Sequence, residues 1–315
     1  MEQAKKKKQF SILPKNKTTE EKVSGLICIA PAFILLTIFV LVPLVMAIWR
    51  SFYYYESGPV DSYFVGFENY KAILKNEIFI KSLGNVLLMA LCIVSFQVIG
   101  SFIFASILVK VRNKFTVFVR VIIYLPYLFS GIVVGCIFTL LTTYNGGFIN
   151  GLITLFDGEP ISFQMDKFWA YLSIIVPTLW VGMGYTTLVF YSGLINIPND
   201  YLEAASVDGA GYFTKLFSII LPSLKNYFVL IIVTLVTGNL QMFEIPMMMT
   251  NGLPLNMTMT PVLYLVHLRS NGNVSESQII AASILIMLSV GAINAIVFSL
   301  TNRKDKDERR VKKHG

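Results

Sequence analysis

Long stretches without a charge alternate with short polar segments along this chain. The uncharged runs cover Val23–Trp49, Ser82–Val109, Val121–Phe156, Phe168–Asn199, Asn226–Phe243 and Ser277–Asn302. Each is near or above the roughly 20 residues a helix needs to cross the hydrocarbon core of a bilayer. Several exceed one crossing and must include part of a loop. The pattern predicts an all-α membrane protein with six transmembrane helices, near 25–49, 83–109, 117–141, 168–194, 227–248 and 278–300. Glu244 interrupts the fifth. The first run follows seven lysines, as the apolar core of a secretory signal would. It is too long for one, contains Pro31 and Pro43, and lacks a clear small-x-small cleavage site, so it reads as a retained span.

Composition agrees with the pattern. Hydrophobic residues make up 55% of the 315, charged residues 14%, and mean hydropathy is +0.66. A soluble domain carries nearer a quarter charged residues. The net charge of +8 is distributed as membrane topology requires, not as a nucleic-acid surface. With six spans and the N-terminus inside, 20 of the 26 Lys and Arg fall on the cytoplasmic side: seven before the first span, four in 110–120, two in 198–225 and seven after Asn302. That is the positive-inside bias, and it places both termini in the cytoplasm. The basic segment 1–24 and the basic tail 301–315 read as anchors on anionic lipid, and no interleaved aromatics point to nucleic acid.

One cytoplasmic segment, 198–222, is polar and turn-rich between two apolar runs. Asp200 and Glu203 have the spacing of a capping box, Pro198 discourages helix before them, and a short helix is predicted from Asp200 to Val207. Gly209 and Gly211 allow a turn with positive φ, a second helix starts near Tyr212, and Pro222 kinks it or begins the next span. A rigid, small-faced, exposed helix-turn-helix is what a docking element needs.

The same segment resembles the coupling loop of binding-protein-dependent ABC importers. Glu203-Ala204-Ala205, three residues, Gly209, nine residues, then Ile219-x-Leu221-Pro222 match that family's pattern at all seven specified positions without insertion. Flanking segments resemble the carbohydrate-uptake permeases of maltose, lactose, oligosaccharide and glycerol-3-phosphate type. They are Ala30-Pro31-Ala32, Pro43 and Ser51-Phe52 around the first span; Gly66-Phe67-Glu68-Asn69-Tyr70; Asn85; and Gly146-Gly147-x-Ile149-Asn150. Thr250-Asn251-Gly252-Leu253-Pro254, with Thr258 beyond, is similar to the family's Thr-x-Gly-Gly-Pro, with Leu253 in place of the second Gly.

The resemblance implies the six-helix type I ABC importer permease fold, a permease domain at 25–300, and a bacterial cytoplasmic membrane location. It implies a second homologous permease, two ATP-binding-cassette ATPases and an extracytoplasmic solute-binding protein as partners. This chain would bind no cofactor; ATP and Mg would be used by the partner ATPases. Glu203 would meet a basic group on an ATPase, Ala204 and Ala205 would keep one face flat, and Gly209 would make the turn. Ile219, Leu221 and Pro222 would brace the loop, with Asp208 a cap or second charge contact.

The residues themselves exclude several chemistries. No Gly-x-x-x-x-Gly-Lys-Ser/Thr phosphate loop occurs, so the chain has no P-loop ATPase of its own. Cys28, Cys92 and Cys136 all fall in expected spans, His267 and His314 stand far apart, and no metal or hydrolase spacing is present. The largest outside segment, about 50–82, is too short for a binding domain.

Glu244 is an acidic group within an expected span, where a charge costs on the order of 3 kcal/mol at the bilayer centre. Gln241 and Glu244 share a helix face at i and i+3, with Asn239 and Phe243 beside them. One reading makes these four line a solute path, offering amide, carboxylate and ring face to a sugar. The other makes Glu244 an interfacial or helix-paired residue. Tyr185, Tyr191 and Trp180 read as helix packing, and Gly131-x-x-x-Gly135 permits a close helix approach to an unassigned partner. An ABC permease for polyamine, phosphate or a lipid-linked compound shares the loop. A proton-coupled transporter using Glu244 leaves the loop unexplained and lacks the internal repeats such proteins show.

Overall fold

Prolines stand at several breaks in the uncharged runs, although Pro31 and Pro177 are carried inside helices. The computed structural model describes residues 19–55, 62–111, 114–271 and 274–314, with side chains described outside 19–26, 114, 271 and 302–314. The lysines at 5–8 and the side chains of the basic tail thus lie outside the described residues. Helix α1 (Thr19–Leu36) runs through a π-turn, Thr37–Leu41, into α2 (Val42–Arg50). Pro43 accounts for the widened turn, because it has no N–H to donate and its ring would meet the carbonyl four residues back. A short antiparallel hairpin of β1 (Tyr53–Tyr54) and β2 (Tyr63–Phe64) follows, then α3 (Glu68–Lys75) and α4 (Glu77–Val111).

The expected span near 117–141 is a broken one. Helix α5 (Lys114–Tyr124) tightens to a 3₁₀ turn at Leu125–Leu128, and α6 (Gly131–Thr142) leaves at 97° to it. Ser130 is extended and its Oγ accepts from the Ile132 N–H, so α6 starts with its own cap. Helix α7 (Phe148–Leu155) and α8 (Lys167–Ile195) come next, the latter capped by Asp166. The polar segment forms α9 (Asn199–Val207), α10 (Tyr212–Lys215), a π-turn at Leu216–Ile220 and α11 (Leu221–Ser223). Helix α12 (Lys225–Leu240) then turns away by 65°. The span expected at 227–248 stops at Leu240, and α13 (Glu244–Met249) is a separate short helix. Helices α14 (Pro261–Asn271) and α15 (Glu276–His314) complete the chain.

Among the described residues, four helices are long and apolar enough to cross a membrane: Ile27–Arg50, Glu77–Val111, Lys167–Ile195 and Glu276–Thr301. Counting each bent pair as one span brings the number to six.

The α4–α8 pair forms the centre, and its packing mixes large apolar side chains with small and polar ones. The face that α4 buries carries Ser82, Ala90, Gln97, Ser101 and Ala105 among Val86, Met89 and Ile93, while Leu87, Leu88, Leu91, Phe96, Ile99 and Ile103 point outward. Small and polar residues let helices approach and hydrogen-bond where lipid offers no hydrophobic drive. Ser101 Oγ and Thr186 Oγ1 lie 2.6 Å apart across that seam, and Gln97 Nε2 donates to Thr186 Oγ1 at 3.4 Å. Gly182 faces Gln97, and Gly184 brings α8 against the backbone of α5 at Ile123 and Tyr124. By contrast, nothing in the most apolar window of Ile27–Arg50 is buried.

Candidate functional site

The exposed loop is fixed almost entirely by its backbone. Pro198 is the N-cap of α9 at φ −59° and ψ 131°, with no side-chain cap bond, and Asn199 is already helical. The expected capping box is therefore absent: Asp200 lies within the first turn, so it cannot cap it. The C-terminus closes by hydrogen bonds from Ala210 N–H to the Ala205 carbonyl (2.8 Å) and from Gly209 N–H to the Ser206 carbonyl (3.1 Å). This is a Schellman motif, which requires a left-handed residue between its two donors. Gly209 supplies it at φ +78°, with open space where a Cβ would stand. The glycine is needed for its φ, not for room. Gly211, at φ −69°, does not use the positive region that the sequence had offered it.

No residue of α9 is buried. Glu203, Ala204 and Asp208 are exposed and Ala205 is half-buried; among the described residues neither carboxylate has an ion-pair partner. Val207 is 89% exposed and Phe213 71%, so the charged groups stand beside an apolar surface. Two lysines tie the loop down. Lys215 Nζ donates to Ser206 Oγ at 2.6 Å, and Lys110, at the end of α4, sits 4.7 Å over the Tyr212 ring. Ile219 and Leu221 are half-buried and Pro222 is exposed at the second π-turn. The fully buried side chain here is Leu224, pressed against Gly193 of α8, a contact no motif marks.

A second cluster surrounds the break after α12. Pro246 causes that break: continuing the helix would set its ring against the Met242 carbonyl and leave that oxygen unpaired. Thr260 Oγ1 donates to the Met242 carbonyl at 2.8 Å instead. Helix α13 is wedged against α6 through the two glycines left unassigned above. A Cβ on Gly135 would stand 2.6 Å from Met248 Cβ, and one on Gly131 would stand 2.9 Å from Glu244 Cβ. Thr139 Oγ1 and Gln164 Nε2 donate to the carbonyls of Met248 (3.0 Å) and Met249 (2.8 Å), closing the end of α13.

This wedge leaves a cavity of about 240 Å³ lined by Gly131, Thr178, Gln241, Met242, Phe243, Glu244 and Ile245. Gln241 and Glu244 do not share a helix face, because the chain breaks between them; the break itself sets both on the cavity wall. Phe243 lines it too. Asn239 does not: it is buried, with Nδ2 donating to the Leu235 carbonyl at 2.8 Å. Among the described residues the Gln241 amide and the Glu244 carboxylate make no internal hydrogen bond or ion pair, so both are open to a ligand. The Glu244 carboxylate lies against the first turn of α6, whose amino end favours negative charge.

The other singled-out residues hold the protein together. Tyr185 stacks on Tyr127, Trp180 packs on Phe138, and Arg120 covers the Tyr191 ring. Asn69 donates to the Ser51 and Tyr53 carbonyls, Asn85 to those of Asn256 and Met259, and Asn150 to those of Thr143 and Ile161. Thr250 and Thr258 hydroxyls meet at 2.8 Å under a loop with Asn251 at φ +50° and Gly252 at φ +92°. Leu253 is not in the left-handed region, so the loop accommodates it where the similar pattern has glycine. No group of three or more metal-ligating side chains occurs among the described residues.

Comparison with known proteins places these features in a family. The chain is 29% identical over 249 residues to the sulfoquinovosyl glycerol transport system permease protein SmoG of Agrobacterium fabrum, covering 78% of this chain and 80% of that one. It is 27% identical to the lactose transport system permease protein LacF of Rhizobium radiobacter, across 88% and 93% of the two chains. The same identity and 88% and 94% coverage hold for the sn-glycerol-3-phosphate transport system permease protein UgpA of Pectobacterium atrosepticum. In fold it matches a chain of a bacterial ABC transporter involved in import of the acidic polysaccharide alginate, with a TM-score of 0.78 at 19% identity over 90% and 96% of the chains. A family model matches residues 97–310, which hold both the exposed loop and the cavity, and the chain belongs to that family, the binding-protein-dependent transport system inner membrane components.

Proposed function

We propose that this chain is a permease subunit of an ATP-driven sugar importer, not an enzyme, and forms one wall of the solute path with a second, similar permease. The carrying observation is the α9–α10 loop. It presents Glu203 and Asp208, without an ion-pair partner among the described residues, beside small and apolar residues on a helix locked by the Gly209 turn. Two ATPase subunits, which bind ATP and Mg, engage this loop and its counterpart. Their closure on ATP drives the loops together and turns the cavity outward, where an extracytoplasmic binding protein delivers solute. Six spans, counting α5–α6 and the α10–α12 segment as one each, put both termini in the cytoplasm. The relatives named for sugars support a sugar or oligosaccharide as cargo. Gln241, Phe243 and Glu244 supply amide, ring and carboxylate to it at the cavity wall.

The test is to purify the chain with its partners from native membranes and measure ATP hydrolysis after reconstitution in lipid. An ATPase should co-purify, and Gly209→Pro or Glu203→Lys should sharply reduce turnover. Solute movement by the isolated chain on a proton gradient without ATP would sink the proposal.

A further inference from the structure

We infer that Glu244 makes the cavity a filter against anions, so that the solute this permease passes is an uncharged or amine-bearing glycan. The inference rests on the reading above that the cavity lies on the solute path. Its starting point is a charge imbalance. Of the seven residues on the wall, Glu244 is the only ionisable one, and no Lys, Arg or His faces it there. No ion pair neutralises it among the described residues, and the remaining polar groups are the Gln241 amide and the Thr178 hydroxyl, which donates to the Ile174 carbonyl. The carboxylate is held on the wall by design of the backbone. Gly131 has no side chain to displace it, and the amino end of α6 favours its charge without using up its lone pairs.

An ionised carboxylate accepts hydrogen bonds from hydroxyls and ammonium groups and repels other carboxylates, sulfonates and phosphates. A like charge at about 5 Å, with an effective dielectric near 20, is disfavoured on the order of 100-fold. Relatives of this chain are named for solutes on both sides of that divide, lactose on one and glycerol-3-phosphate on the other. On this inference Glu244 puts this chain on the lactose side of that divide.

The experiment needs no knowledge of the cargo. In the complete complex in lipid, Cys28, Cys92 and Cys136 are replaced by Ser, and Gln241→Cys places one thiol on the cavity wall. Its reaction rates with a trimethylammonium and a sulfonate methanethiosulfonate are each divided by the rate for a free thiol. The cation-to-anion ratio should exceed that of the free thiol by roughly tenfold, the open cavity screening part of the repulsion. It should persist in Glu244→Asp, collapse in Glu244→Gln, and shrink at high salt with Glu244 intact, so the result does not hinge on one variant's assembly. A ratio that is unchanged by Glu244→Gln and by salt overturns the filter while leaving the cavity on the path. Failure of both reagents to reach residue 241 overturns the filter and the placement of the path together.

Discussion

The α9–α10 loop and the α13 wedge are both short helices set beside a broken span, yet they are held by opposite means. Helix α9 buries no residue and takes its shape from a Schellman closure and one left-handed glycine. Helix α13 buries Ile245, Pro246 and Met249 and is shaped by glycines on another helix, at 131 and 135. The first is rigid because of its own backbone, so its side chains are free to meet a partner. The second is rigid because of its neighbours, so its shape depends on packing against Gly131 and Gly135, far earlier in the sequence.

That contrast can be broken most forcefully at Gly135. Replacing it with Leu drives new atoms into Met248, and overpacking of this kind should cost about 3 kcal/mol, seen as a lower melting temperature of the reconstituted complex. A melting temperature equal to that of the parent would mean that α13 is not wedged at all. Next is Asn150→Ala, which deletes donors to Thr143 and Ile161 and the acceptor for the Ile161 N–H. Leaving those groups unpaired should cost about 2 kcal/mol, measurable as faster hydrogen exchange through 143–161. Gly209→Ala forces a Cβ into the left-handed region and should cost about 1 kcal/mol of local order. Its signature is increased protease nicking at 206–211 with global melting unchanged. Smallest is Gly211→Ala, at φ −69° with open space around it, for which a change of a few tenths of a kcal/mol is expected. If Gly211→Ala disturbs the loop as much as Gly209→Ala, the left-handed turn is not what fixes α9.

The same contrast explains what could be read from the amino acids alone. The loop was legible because its requirements are local: a proline before the helix, small residues on it and a glycine where φ must be positive. Even there, the Asp200–Glu203 spacing misled, since Pro198 begins the helix one residue earlier and leaves Asp200 nothing to cap. Long uninterrupted helices such as Lys167–Ile195 were legible from apolar length. The break at 241–243 was not, because a window average passes over a single Pro246 four residues after the carbonyl it displaces. Gln241, Phe243 and Glu244 were singled out by their chemistry on a helix face that does not exist; the cavity joins them through a loop instead. Asn239 shared the chemistry but turns back to its own helix. The Lys110–Tyr212 and Leu224–Gly193 contacts and the place of Thr178 on the cavity wall carried no signal, since each depends on a residue distant in the chain.

The π-turn before Pro222 adds something to the loop's mechanics. Where a proline follows a widened turn, the helix loses a rung, and a shaft with a rung missing yields to bending more readily than to being pushed along its length. Leu216–Ile220 therefore stands between the exposed loop and the 65° bend that separates Ser223 from Lys225 at the start of α12. Helix α12 thus has the exposed loop at one end and, past Leu240 at the other, Gln241 and Glu244, so a single helix length separates the two sites.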